Sequence, residues 1–102
     1  YIDDAVDGLI ALAQSDDAAG EILNLGSNFE SSIKDLAIKI KAQTNSDSEI
    51  AFIPFSETRR NGLYEDLVYR APDLEKIRGL VGYDPKVDLD EALRRIIEDF
   101  QK

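Results

Sequence analysis

Four stretches of the chain repeat their apolar residues at helical spacing, and nothing else in the sequence constrains the fold as strongly. Val6, Leu9, Ile10 and Ala13 fall at i, i+3, i+4 and i+7, on one face of a helix. Ile33, Leu36, Ala37 and Ile40 repeat that spacing, and Leu74, Ile77 and Val81 do so over a shorter span. Leu89, Ala92, Leu93, Ile96 and Phe100 give the clearest apolar face. The flanking residues agree with the pattern. Asp3 or Asp4 can accept from the first free amides of the first helix, and Ser32 stands three residues before Asp35 as in a capping box. The third helix is expected to start near Asp73 and to stop at Gly82, a residue that takes the left-handed conformation easily. Asp88 caps the fourth, with Glu91 three residues on.

Two short apolar runs lie between these stretches. Glu21-Ile22-Leu23-Asn24-Leu25 precedes Gly26, and Ile50-Ala51-Phe52-Ile53 ends at Pro54. The first reads as a buried strand and the second as a further strand. A strand, a helix and a strand in that order make a βαβ unit, with parallel strands and a right-handed crossover. The expected fold class is therefore α/β: a single small domain over residues 1–102 with about four helices and a short parallel two-stranded βαβ unit. From Phe55 to Tyr69 the periodicity is lost, and a connection of that length is uncommon unless it has a function.

Composition removes whole classes of chemistry. The chain has 102 residues, about one domain, and its 43% apolar content argues against global disorder. With no Cys there is no disulfide framework or thiol nucleophile, and with no His there is no imidazole base or Ser-His-Asp triad. The net charge of −9 opposes nucleic acid and anionic membrane surfaces as partners. No apolar run reaches the roughly 20 residues of a membrane helix, and no signal peptide is visible. A cytoplasmic location is the expectation these features allow.

The sharpest candidate site is Arg70-Ala71-Pro72-Asp73. A guanidinium fork suits phosphate oxygens, Pro72 stiffens the segment, and a following helix start would offer free amides to an anion. The plainer reading has Asp73 capping the helix and Arg70 paired with Glu65 or Asp66. Gly26 follows a strand candidate but belongs to no G-x-G-x-x-G turn, so it reads as an ordinary turn residue. The carboxylates Asp84, Asp88, Asp90 and Glu91 lack the ligand spacing of a calcium loop. Arg59-Arg60 reads as surface.

The order of features resembles a known family. Tyr1-Ile2-Asp3-Asp4 is similar to the Y-V-x-D segment of the extended short-chain dehydrogenases/reductases, the NAD-dependent nucleotide-sugar epimerases, dehydratases and decarboxylases. Gly20 to Gly26 resembles their G-x-x-Y-N-[LI]-G strand, with Leu23 in place of the aromatic. Ser32-Ile33-Lys34-Asp35-Leu36-Ala37 looks like T-I-x-E-L-A. Arg70-Ala71-Pro72-Asp73 with Lys76 resembles R-x-P-D-x-x-K, and Leu80 to Pro85 resembles L-G-[WY]-x-P. Gly62-Leu63-Tyr64-Glu65-Asp66 is similar to a G-F-E-D stretch of UDP-glucose 4-epimerase-like members. These pieces run the length of the chain.

The resemblance implies the C-terminal, substrate-binding part of such an enzyme. That part would clamp the nucleotide diphosphate of a nucleotide sugar, with Arg70 on the pyrophosphate and Asp73 on the nucleoside side. NAD would belong to a missing N-terminal domain, because this chain holds neither the glycine-rich turn nor a tyrosine with lysine four residues later. The chain alone would then neither bind NAD nor turn over substrate. The alternatives are a non-catalytic interaction domain that associates with itself, and an acidic α/β domain with no ligand.

Overall fold

The computed structural model describes residues 1–54 and 70–102. The long connection from Phe55 to Tyr69, with Arg59, Arg60, Glu65 and Asp66, lies outside the described residues. Among the described residues four helices form where the spacing predicts them: α1 (Ile2–Ala13), α2 (Ile33–Gln43), α3 (Glu75–Val81) and α4 (Leu89–Phe100), with a 3-10 turn at Asp16–Ala18. The chain divides into two compact units, Tyr1–Glu30 with Ala71–Lys102 and Ser31–Arg70.

The first unit holds the core. Leu74, Ile77 and Tyr83 are buried, Ile77 to 1% exposure, and Leu12, Leu23, Leu25 and Val81 pack against them. Gly8 lets α1 come close to this cluster. A Cβ at that position would lie 2.6 Å from Leu25 Cδ1 and 2.8 Å from the Tyr83 ring, so only a hydrogen fits there. Leu93 of α4 is also buried.

The helix ends follow local chemistry, with one reassignment. Ser32 Oγ accepts from the Asp35 amide at 2.9 Å, and Asp88 Oδ1 accepts from the Glu91 amide at 2.8 Å, as the sequence spacing predicts. Gly82 stops α3 at φ 67°, the left-handed region a glycine reaches without strain. At α1, however, the N-cap is Tyr1, and Asp3 and Asp4 lie inside the first turn, where their charge still suits the helix dipole. Asp4 is buried and accepts instead from the amides of Lys86 and Val87, both at 3.0 Å. It joins α1 to the turn ahead of α4.

The α/β expectation is overturned. No strand forms among the described residues, so there is no parallel pair, no βαβ unit and no crossover. A strand exists only when its amides and carbonyls meet a neighbour's ladder, and apolar composition does not supply one. In Glu21–Leu25 and its neighbour Gly26, side chains occupy part of the backbone. Lys76 Nζ donates to the Ile22 carbonyl at 3.1 Å, and Tyr83 Oη donates to the Gly26 carbonyl at 2.8 Å. Ile22 itself is 90% exposed. In the second unit Phe52 is 72% exposed, with Lys34 Nζ 5.8 Å from its ring centroid, a cation–π contact in place of a sheet face. All regular structure among the described residues is helical.

Candidate functional site

The segment ahead of α3 is where the sequence placed its candidate site, and Asp73 is held there at two points. Its Oδ1 accepts from the Glu75 amide at 2.9 Å, closing the first turn of α3. Its backbone carbonyl accepts from Asn24 Nδ2 at 3.3 Å, a bond between residues 49 apart in sequence. Asp73 is exposed, and its Oδ2 has no partner among the described residues.

The stretch from Glu21 to Gly26 runs beside α3 as a strap fastened by side chains. Lys76 holds one end through the Ile22 carbonyl and through an ion pair with Glu21 at 2.6 Å. That pair is half-exposed and adds little stability by itself. Tyr83 holds the other end through the Gly26 carbonyl, and a Cβ on Gly26 would stand 3.4 Å from Pro72 Cγ. Leu23 and Leu25, on either side of Asn24, pack onto the core.

Two titrating groups lie beneath this arrangement. Burial acts to raise the Asp4 pKa, but the amides of Lys86 and Val87 outweigh it and hold the carboxylate below its ordinary value of 3.8. Burial, with the charge of Asp4 nearby, pushes the Tyr83 hydroxyl up, so Tyr83 stays a protonated donor to Gly26 at neutral pH. Asp4, Asp7, Gly8, Tyr83, Asp84 and Lys86 line a recess of 170 Å³. Both oxygens of Asp4 are already engaged there, and no group of three or more acidic side chains placed to hold a metal occurs among the described residues.

Arg70 is exposed, belongs to the second unit and has no ion-pair partner among the described residues. The pairing expected with Glu65 or Asp66 falls outside those residues. The sequence picked out Arg70 and Asp73 but passed over Asn24, Lys76 and Tyr83. The signal for all three was the family resemblance, in which Asn24, Lys76 and Tyr83 are motif positions to which no role was given.

A dinucleotide does not fit the residues present. Its phosphates need a glycine-rich turn between a strand and a helix, and the described residues contain no strand. Gly26 instead lies against Pro72 and is followed by irregular backbone up to Ser32. No step is assigned to NAD. No helix of the described residues is long and apolar enough to cross a membrane.

No family model matches the chain. It is 34% identical over 102 residues to a UDP-N-acetyl-alpha-D-glucosaminuronate decarboxylase of Bacillus cytotoxicus, covering all of this chain and 31% of that protein. It is 37% identical to UDP-glucuronic acid decarboxylase 1 of Xenopus tropicalis and 33% identical to that of Danio rerio, covering all of this chain and 22% of each. The chain thus spans less than a third of the length of these relatives.

The sequence similarity is chain-long, but the architecture drawn from the family resemblance does not hold. A substrate-binding part of an NAD-dependent nucleotide-sugar epimerase or dehydratase was expected to carry a β-sheet, and the described residues carry none. The diphosphate clamp falls with it. It relied on free amides at the start of the third helix, and the Glu75 amide is already bonded to Asp73 Oδ1. The UDP-glucose 4-epimerase-like assignment and the reading as the C-terminal part of an NAD-dependent epimerase or dehydratase are corrected on the same finding.

Proposed function

We propose that this chain is a helical binding segment of a protein that handles UDP-linked sugar acids. In this reading Arg70 contacts the carboxylate of the sugar acid and Asp73 Oδ2 accepts from a ligand hydroxyl. The observation that carries it is similarity over the chain's full length to decarboxylases of UDP-linked sugar acids from a bacterium and from vertebrates. The chemistry of the two side chains supports it. An exposed guanidinium offers two parallel donors to a carboxylate, the group a sugar acid carries. Asp73 keeps one carboxylate oxygen for a ligand while the other holds the helix. A larger protein of this kind would bind NAD through other residues, and a cytoplasmic setting, compatible with the lack of Cys, is part of the same proposal.

The test is calorimetric titration of UDP-glucuronic acid into the protein as encoded, with Arg70→Ala alongside. Loss of a charge-assisted contact should weaken binding by about tenfold or more. Equal affinity of Arg70→Ala and the parent protein would remove Arg70 from the site.

A further inference from the structure

We infer that Asn24 is a positioning residue for the ligand-binding segment, acting through the backbone of Asp73. This inference rests on the reading of Asp73 as a ligand contact. A carboxylate presents one oxygen to a ligand reproducibly only if its backbone and its other oxygen are fixed. At Asp73 the helix fixes Oδ1, through the Glu75 amide, and Asn24 fixes the carbonyl.

Asn24 can do this because it sits in the middle of a strap pinned at both ends. Ile22 is tied to Lys76, Gly26 to Tyr83, and Leu23 and Leu25 are set into the core. The backbone that carries the amide is therefore held on both sides, and the amide donates to a carbonyl that belongs to the ligand segment itself. Only a donor serves at this point. An aspartate of the same size would place an acceptor against the Asp73 carbonyl, and an alanine would leave that carbonyl untethered. The geometry also explains an exposed polar residue between two core leucines. Asn24 faces outward, where a strap residue contributes nothing to the core, yet it bridges to the segment that follows Pro72.

The experiment compares UDP-glucuronic acid affinity and urea stability for Asn24→Ala, Asn24→Asp, Arg70→Ala, Asp73→Ala and Asp88→Ala in the protein as encoded. Asp88→Ala removes the α4 cap, which touches neither the strap nor Asp73, and serves as a control for general destabilisation. The inference expects both Asn24 variants to bind about threefold to tenfold more weakly, the worth of one net hydrogen bond, while Asp88→Ala stays within about twofold of the parent. If the Asn24 variants bind normally while Arg70→Ala and Asp73→Ala are impaired, the positioning role is overturned and the ligand reading stands. If Asp88→Ala weakens binding as much as the Asn24 variants do, their effect is general loss of stability and the positioning role is again overturned. If neither Arg70→Ala nor Asp73→Ala alters affinity, the ligand reading itself fails and the role of Asn24 falls with it.

Discussion

At Gly8 a single hydrogen decides how closely α1 meets the core. A methyl group there would lie within 3 Å of Leu25 and of the Tyr83 ring, so Gly8→Ala forces those side chains to move. Overpacking of this kind costs about 1–3 kcal/mol, and the better helix propensity of alanine returns about 1 of it. Urea denaturation of Gly8→Ala should show a net loss of up to about 2 kcal/mol, whereas a gain would mean that the site has room. Asp4 works through charge. Its folded pKa is depressed, so its contribution is complete above the ordinary carboxylate value and is lost as pH falls through the lower folded value. Asp4→Asn should flatten the acid side of the stability profile and cost about 1.5–3 kcal/mol at neutral pH, the worth of hydrogen bonds to a charged group. An unchanged profile would place the acid transition elsewhere. Residue-level features were legible in the sequence where the partner is a few positions away, as with Ser32 and Asp35 or Asp88 and Glu91. They were not legible where the partner is distant: the amides that hold Asp4 lie 82 and 83 residues on, and Asn24 reaches across 49.

Among the elements, the helices were readable because their hydrogen bonds close within the segment and their apolar period states which face turns inward. The strands were misread for the complementary reason. A strand's bonds are made with another segment, and nothing in Glu21–Leu25 or in residues 50–54 announces whether that segment is present. The corrected fold predicts that the amides of Ile22 to Leu25 exchange with solvent quickly, while those of α1 and α4 are protected. Protection of Leu23 and Leu25 equal to that of α4 would restore a ladder. The fourth helix carries its own electrostatic signature. Arg94 and Arg95 both bond Glu91 and hold its carboxyl at about 2, far below the ordinary 4.5, with Arg94 also pairing with Glu98. Because that pKa is depressed, the pairing persists above the ordinary value and is lost only as pH falls through about 2. The side-chain carbon shift of Glu91 should follow that midpoint, and a midpoint near 4.5 would show that the arginines are solvated in solution instead.

For the molecule as a whole, the most telling feature is how much apolar surface stays in contact with water. Ile22 and Phe100 are about nine-tenths exposed, and Ile33, Phe52 and Ile53 remain mostly exposed as well. The second unit has a helix, α2, with no buried residue along its length, although a helix of 11 residues is marginal without packing. Light scattering on the isolated chain should therefore show a mass that rises with concentration, and a constant 11.4 kDa species would show that these side chains are tolerated in water. The similarity to UDP-sugar-acid decarboxylases and the construction around Asp73 both support the proposal that the segment ahead of α3 touches a UDP-linked sugar acid. The most direct measurement is the amide spectrum of the protein titrated with UDP-glucuronic acid. Saturable shifts centred on Arg70, Asp73 and Glu75, with Asn24 following, are the predicted result. Saturable shifts that leave these four residues unmoved would contradict it.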